Sequence, residues 1–456
     1  MLKKICLGSI AFSDREALSR RQGETTMPRR ALTWTLRAAV VVCILGGLGA
    51  AGAAEALAAS AAQVALYVSD GPELIHYDLL VDHATLTKQD SLKVPGAIQY
   101  AWPAPSGHEL YVVWSAGRGD SGSYGATAFN IEPGSGNLSQ HGEAVPLKQR
   151  PINVTVDRDG THLLVVYPNP PGLTVFSISP DGGIGSEVKE PENLNFGVYV
   201  HQVRLEPSNH TAIIVTRGNY EHVLGGDGAK TTDPGALQIF NYKDGVLTNR
   251  TSIAPGGGID FNPRHLDFDS AGQWAFVSLE GENKLQVFRL AKDGTPSGTP
   301  LFSKDTDAAP TNLPVEHKQE SGAVHVHPNG RFVYVAGRAM GTVPFQGKQM
   351  FAGGENIISV FEINPKTGEP TLIQTADTHG MVPRTFNLDP SGRILVAANQ
   401  QQELVREGDD LKTVPANLAV FRIQANGKLE FVQTYPVAGD TKSTSLFWMN
   451  IVQVPR

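Results

Sequence analysis

The sequence predicts an all-β protein with the architecture of a seven-bladed β-propeller. Three observations support this: a four-strand unit that repeats along the chain, an aromatic residue that recurs in each unit, and a C-terminal strand that belongs to no unit. Four short strands repeated radially are typical of propellers. The 456 residues include 48 Gly and 30 Pro, which indicates many turns. We find no stretch of 10–15 residues with the hydrophobic periodicity of an amphipathic helix.

The clearest unit runs from Pro263 to Phe288 as strand, turn, strand, loop and strand, and a weak fourth strand follows. Alternating apolar positions with aromatic and β-branched side chains favour these strands. The turn residue recurs at Gly107, Gly160, Asn209, Gly272, Gly330 and Gly392. The third-strand aromatic residue recurs at Tyr77, Phe129, Phe176, Phe240, Phe288, Phe361 and Phe421, which gives seven units.

The two ends of the repeat predict that the ring is closed. Ala65–Val68 has the pattern of a second strand, so the first unit lacks its first strand. The orphan strand Ser445–Gln453 would supply it, and closure of the ring removes exposed sheet edges. We therefore expect residues 59–456 to form a single propeller domain.

Residues 1–58 have the pattern of a targeting segment. Arg29, Arg30 and Arg37 precede an uncharged run from Ala38 to Ala54, and small residues follow. A basic start, an apolar middle and small residues at the cleavage point are typical of a secretory signal, with Met27 as an alternative start. A retained membrane anchor is the alternative, but the run is shorter than the ~20 residues of a span. We expect removal of residues 1–58 and a periplasmic or secreted protein.

Charge and cysteine content limit the partners. Both cysteines, Cys6 and Cys43, lie in the N-terminal segment, so the remaining chain has no disulfide and no cysteine-based metal site. Removal of residues 1–58 changes the formal net charge from −7 to −11. Nucleic acids select basic surfaces, so we expect no nucleic-acid partner. The 41% of hydrophobic residues suffice for a large core and exclude a disordered chain.

Three long insertions separate strands two and three of their units, at residues 218–233, 339–354 and 402–416. Long loops of this kind are often functional or mobile. The alternative is that these insertions only decorate the surface and have no function.

The repeat register predicts which side chains meet. Strand one of each blade lies nearest the axis and strand two is antiparallel to it, so the start of strand one and the end of strand two share one rim. The start of strand one carries His201, Arg264 and Arg384 in blades four, five and seven, and Gly322 in blade six. The residue eight after each turn residue, at the end of strand two, is Ser115, Pro168, Arg217, Glu280, Arg338 and Gln400 in blades two to seven.

Charged residues at one rim need partners or a ligand. Several arginines around one carboxylate favour an anion-binding site, because the guanidinium fork suits carboxylate and phosphate. The alternative is an internal ion-pair network that joins the blades. His325 and His327 lie two apart on one face of a strand, but a third metal ligand is missing, so we expect no metal.

At these residues the chain resembles the seven-bladed β-propeller lactonases, which include propeller-type 6-phosphogluconolactonases and carboxy-muconate lactonising enzymes. The resemblance is carried by Pro263–His265 with Glu280 sixteen residues after Arg264, and by the stretches His325–Arg338 and Pro383–Gln400. It implies active-site positions at His201, Arg264, Glu280 and Arg338, with Arg384 and Gln400 near the same funnel. One departure is Leu279, where the family commonly has Asn.

The resulting hypothesis is an exported lactonase that opens a sugar or carboxylated lactone with water and without a cofactor. Glu280 or His201 would act as general base, and Arg264 would stabilise the oxyanion. The candidate substrate-binding residues are Arg217, His265, His325, Arg338, Arg384 and Gln400. Two alternatives remain: a muconate cycloisomerase-type enzyme that uses the same arginines, and an exported propeller that binds a ligand or protein without catalysis.

Overall fold

The structure is a computed structural model that describes residues 63–117, 121–218, 233–308, 315–437 and 445–456. The predicted targeting segment, residues 1–58, lies outside the described residues, as does most of the insertion at residues 218–233. In the part of the chain that is described, no helix is long and apolar enough to cross a membrane.

Seven four-stranded antiparallel sheets follow one another along the chain, as predicted. Blade one begins with β1 (Val64–Asp70), β2 (Glu73–Leu80) and β3 (Thr85–Lys93). Blade two contains β4 (Ala97–Pro103), β5 (Glu109–Ala116), β6 (Ser123–Ile131) and β7 (Leu138–Pro146). Blade three contains β8 (Asn153–Val156), β9 (His162–Tyr167), β10 (Gly172–Ile178) and β11 (Ile184–Val188). Blade four contains β12 (Val200–Leu205), β13 (Thr211–Thr216), β14 (Ala236–Lys243) and β15 (Val246–Ile253).

The remaining blades include two extra hairpins. Blade five contains β16 (Pro263–Phe268), β17 (Trp274–Leu279), β18 (Lys284–Arg289) and β19 (Phe302–Asp305). Blade six contains β20 (Gln319–Val326), β21 (Phe332–Ala339), the hairpin β22 (Thr342–Phe345) and β23 (Lys348–Phe351), then β24 (Ile357–Ile363) and β25 (Pro370–Asp377). Blade seven contains β26 (Pro383–Leu388), β27 (Ile394–Asn399), the hairpin β28 (Glu403–Glu407) and β29 (Asp410–Val414), then β30 (Asn417–Ile423) and β31 (Leu429–Pro436). The last strand, β32 (Leu446–Gln453), completes blade one. Two short 3₁₀ helices span Pro255–Gly258 and Val315–His317.

The C-terminal strand closes the ring, which confirms the prediction. β32 pairs antiparallel with β1, with Tyr67 opposite Asn450, and it is the innermost strand of blade one. The Trp448 backbone N–H donates to the Ser69 hydroxyl at 2.9 Å, and the Ser445 N–H donates to the Asp70 carboxylate at 2.8 Å. The first and last parts of the domain are therefore held together by one sheet.

The turn and aromatic positions of the repeat are also confirmed. All six turn residues have positive φ, between 64° and 77°, a conformation that glycine and asparagine adopt most easily. The backbone N–H of each donates to the carbonyl three residues earlier. All seven third-strand aromatic residues are buried, with at most 6% of their surface exposed. They pack in the apolar clusters of the blades.

The strand register places most of the predicted site residues on one rim, but His325 lies opposite Tyr334 near the start of β21, towards the other end of the sheet. Pro263 at the start of β16 lies opposite Leu279 at the end of β17, and Glu320 near the start of β20 lies opposite Arg338 near the end of β21. We call this end of the ring, where strands one begin, the upper rim. The two hairpins also extend from it, because they connect strands two and three.

Candidate active site

An ion cluster surrounds the Glu280 carboxylate, which follows β17 and is 2% exposed. Its Oε1 atom accepts a hydrogen bond from Arg264 Nε at 2.8 Å and another from Arg338 Nη2 at 2.5 Å. Its Oε2 atom lies 2.9 Å from Arg217 Nη1. Arg338 Nη2 also donates to Glu320 Oε2 at 2.6 Å. Blades four, five and six therefore meet at one buried carboxylate.

The arginines determine the charge of this carboxylate. Burial alone raises its pKa, but the charges of Arg217, Arg264 and Arg338 outweigh that effect and hold the pKa of Glu280 at about 2. Burial and the neighbouring Glu280 raise the pKa of Glu320. Glu280 is therefore ionised at neutral pH and already engaged with cations at both oxygens.

A small cavity of about 20 Å³ adjoins the cluster at Arg264. It is lined by Gln99, Tyr100, Ile152, His201, Arg264, His265, Arg384, Thr385 and Phe447. Five of these, from blades two, three, four, five and seven, occupy the same register position, eight residues before the turn residue of their blade. The cavity is therefore built by equivalent positions of different blades, and its volume suffices for about one water molecule.

Two neutral histidines line this cavity. The rings of His201 and His265 lie 5.1 Å apart between centroids, and both side chains are buried. Burial, reinforced by the Arg264 charge, lowers the pKa of both well below the ordinary value. His201 Nδ1 and Arg264 Nη1 are buried without a hydrogen-bond partner among the described residues. These two polar atoms are free to bind a ligand.

Arg384 differs from the other three arginines. It is partly exposed, and among the described residues it forms no ion pair with a carboxylate. Its Cζ atom lies 3.7 Å from the centroid of the Phe447 ring, a cation–π geometry. Burial, followed by the charges of Arg264 and Arg338, lowers its pKa well below the ordinary arginine value.

The family model described as a seven-bladed β-propeller lactonase matches residues 61–407. The chain belongs to this lactonase family. The 6-phosphogluconolactonase of Bacillus subtilis (strain 168) is 28% identical over 368 residues, 78% of this chain and 95% of that protein. That of Serratia proteamaculans (strain 568) is 23% identical over 377 residues, 82% and 96% of the two chains.

Solved structures share the propeller fold. The Pseudomonas aeruginosa periplasmic gluconolactonase matches with a TM-score of 0.61 and 22% identity, over 86% of this chain and all of that one. A protein from Lactobacillus plantarum matches with a TM-score of 0.63 and 21% identity, over 86% and 99% of the two chains.

In this lactonase-family propeller, the predicted site residues divide into three groups. His201, Arg264, His265 and Arg384 line the cavity. Arg217, Glu280 and Arg338 form the ion cluster that shares Arg264 with it. His325 and Gln400 belong to neither the cavity lining nor the ion cluster. His325 packs edge-on against Phe386, with 5.0 Å between centroids, and Gln400 Nε2 donates to Ser445 Oγ at 3.2 Å.

The neighbouring candidates have structural explanations. Both ring nitrogens of His327 are engaged in hydrogen bonds, because Nε2 lies 2.8 Å from the Gly392 carbonyl and Nδ1 accepts from the Asn329 N–H at 3.1 Å.

No group of three metal-binding side chains occurs within the ranges described. The departure at Leu279 is explained by packing, since this side chain is 1% exposed in the core of blades four and five.

Sequence reasoning did not identify five cavity residues: Gln99, Tyr100, Ile152, Thr385 and Phe447. Gln99 and Ile152 were detectable, because they precede Gly107 and Gly160 by the same eight residues that relate Arg264 to Gly272. Tyr100 and Thr385 are the next residues along their strands. Phe447 lies on β32, which no repeat turn follows, so the register offers no signal for it.

Proposed function

We propose that this protein is a lactone hydrolase whose reaction takes place at the upper-rim cavity. The observation that carries the proposal is a pair of buried polar atoms, Arg264 Nη1 and His201 Nδ1, that have no hydrogen-bond partner in the described part of the chain and belong to residues lining one cavity. Buried polar groups without partners are costly unless a ligand binds them. The family and its 6-phosphogluconolactonase relatives support this class of reaction.

The proposed reaction is ring opening by water. A water oxygen attacks the lactone carbonyl carbon while His201 Nδ1 takes its proton. Arg264 donates to the resulting oxyanion, as preorganised donors do in acyl transfer. The C–O bond to the ring oxygen then breaks, and His201 returns its proton to that oxygen. The product is a hydroxy acid. A histidine with a lowered pKa releases this proton readily.

We propose His201 rather than Glu280 as the general base. Both Glu280 oxygens lie against arginines. His201 Nδ1, in contrast, has no hydrogen-bond partner among the described residues, and His201 lines the cavity. Glu280 instead positions Arg264, because it binds Arg264 Nε, while Nη1 has no partner within the ranges that the structure describes.

The charge of the site favours a lactone with an acidic substituent. Four arginines, Arg217, Arg264, Arg338 and Arg384, meet two carboxylates, so the cluster keeps a positive excess. Sugar lactones and carboxylated lactones are the proposed substrates. A lactone ring is larger than the cavity, so part of a bound ring must extend beyond the cavity, past the partly exposed Arg384 and Phe447 side chains. We also propose that residues 1–58 direct export, so that the substrate is met in the periplasm or outside the cell.

One observation favours a second candidate, a ligand-binding propeller without catalysis. The buried cluster at Glu280 joins three blades, and such a network contributes to the packing of the ring whether or not a reaction occurs. Turnover separates this candidate from the hydrolase.

The test is hydrolysis of δ-gluconolactone, its 6-phosphate and a carboxylated muconolactone by purified protein. If His201 is the base, His201→Asn lowers kcat by about 10²–10⁴-fold, and Arg264→Lys lowers it by about 10²–10³-fold. His141→Asn on the outer strand β7 is the control with unchanged kcat. As the pH is lowered, kcat/KM should begin to fall only below the ordinary pKa of histidine, because the pKa of His201 is lowered. Absence of turnover of all three lactones by the wild type would contradict the hydrolase proposal and favour the binding propeller.

A further inference from the structure

The Arg384 guanidinium contacts an aromatic ring, Phe447, and forms no ion pair with a carboxylate among the described residues. Arg217, Arg264 and Arg338 each contact Glu280, whereas the Arg384 guanidinium stacks on Phe447 at 3.7 Å. The N–H donors of a guanidinium lie in its own plane, so a ring against one face leaves them pointing away from the ring. Its edge therefore remains available to an anion.

The closing strand fixes where this ring lies. Phe447 sits on β32 between Leu446 and Trp448, whose side chains are buried in two different apolar clusters, whereas the Phe447 side chain is partly exposed and lines the cavity. Asn387 Nδ2 donates to Asn450 Oδ1 at 2.6 Å, three residues beyond Arg384 and Phe447 on their respective strands. This hydrogen bond ties the innermost strands of blades seven and one, so the ring and the guanidinium share a fixed frame.

We propose that Phe447 is a positioning residue that sets substrate specificity: it holds the Arg384 guanidinium so that its edge receives a phosphate or carboxylate substituent of the lactone. This inference rests on the proposed hydrolase function. Phe447 acts through Arg384 and takes no part in bond making or breaking. Its removal should therefore affect binding of anionic lactones and leave the chemical step unchanged.

The experiment compares δ-gluconolactone, which is neutral, with its 6-phosphate. Phe447→Leu should raise KM for the phosphorylated lactone about 10-fold, which corresponds to ~1.4 kcal/mol and lies within the range of cation–π contacts. The effect should be selective: KM for the neutral lactone and kcat for both lactones should change much less than KM for the phosphorylated lactone. Arg384→Met should raise KM for the phosphorylated lactone at least as much.

Two further variants separate positioning from general damage. Phe447→Tyr keeps the ring and should restore the wild-type KM. Phe345→Leu removes the ring that lies 4.7 Å from Arg406 Cζ on the same rim, outside the cavity, and should change neither KM. Thermal melting verifies that each variant is folded.

The possible results are distinguishable. Equal effects of Phe447→Leu on both lactones, or none on either, would overturn the specificity role while hydrolysis itself stands. If the wild type hydrolyses neither lactone, the proposed function fails, and calorimetric binding of 6-phosphogluconate then decides. Weaker binding by Phe447→Leu, restored in Phe447→Tyr, supports the inference, and unchanged binding overturns it.

Discussion

At the scale of single residues, the site depends on the contacts that several arginines make with one buried carboxylate, that of Glu280. Removal of a carboxylate from water is costly, and close cations with good hydrogen bonds offset the cost. Glu280 meets this condition with three arginines. The contacts that keep Glu280 ionised also hold the guanidinium of Arg264, a residue that lines the cavity. Stability and site geometry are therefore coupled at this residue.

Glu280→Gln should destabilise the protein strongly at neutral pH, by about 3–5 kcal/mol, because it leaves buried guanidinium groups without their counter-charge. The lowered pKa sets the pH dependence: the stabilisation is complete above the ordinary glutamate value and is lost as the pH falls towards about 2. The difference between wild type and variant should therefore shrink on acidification. Urea unfolding at pH 7 and pH 3.5 measures it.

The matched control for this variant is Glu369→Gln. Glu369 pairs with Lys304 at 2.7 Å, but its side chain is 44% exposed, and exposed pairs contribute only about 0–1 kcal/mol. Equal unfolding midpoints of Glu280→Gln and wild type at pH 7 would contradict the role of Glu280 as the centre of the cluster.

Residue spacing predicted which side chains meet at the rim, but not how they pair. His201, Arg264 and Arg384 were placed together because equivalent positions of neighbouring blades converge on one axis. Whether an arginine contacts Glu280 or Phe447 depends on side-chain rotamers and on the neighbouring blade, which no spacing within a unit encodes. This is why the sequence left both Glu280 and His201 as candidate bases.

At the scale of elements, the joints between blades carry the unusual polar groups. Asp307 lies just beyond β19 and is 2% exposed. Its Oδ1 atom has no hydrogen-bond partner among the described residues. Burial first, then the charges of Glu355 and Asp305, raise its pKa to about 7. The end of strand four in blade five therefore contains a carboxyl group that is protonated below neutral pH.

Asp307→Asn should stabilise the protein above pH 7 and not below pH 5. A carboxyl group with a raised pKa binds more protons in the folded state, so stability falls as the pH rises from about 4 to about 7. The amide removes this loss, and we expect Tm at pH 8 to rise by about 2–4 °C. Melting at pH 5 and pH 8 is the measurement, with the exposed Asp410→Asn on β29 as control. A lower Tm for Asp307→Asn at pH 8 would refute the raised pKa.

The insertions show which features of the secondary-structure elements the sequence predicted and which it did not. Their position between strands two and three was predicted, and the structure adds that two of them form hairpins that touch. Gln346 Nε2 donates to the Asp409 carbonyl at 2.9 Å across the hairpin tips. Repeat spacing locates an insertion, whereas its internal pairing depends on local turn residues and on its neighbour.

At the scale of the whole molecule, the seven-blade count and the closed ring followed from the sequence because the repeat leaves one strand missing at one end and one extra at the other. β32 therefore has two roles. It completes the sheet of blade one, and it contributes Phe447 to the cavity. Fold closure and site formation are consequences of the same strand.

Truncation after residue 444 should abolish cooperative folding of the ring. Loss of β32 leaves β1 with unpaired backbone groups and removes Trp448, a fully buried side chain whose loss alone costs about 3–5 kcal/mol. A synthetic peptide of residues 445–456 should restore a cooperative melting transition when added, because it supplies the missing strand. Removal of Arg456 alone is the control. A truncated chain that melts cooperatively at the wild-type temperature would show that the other blades hold the ring without closure, since the Trp448 core and the backbone pairing of β1 would then be dispensable.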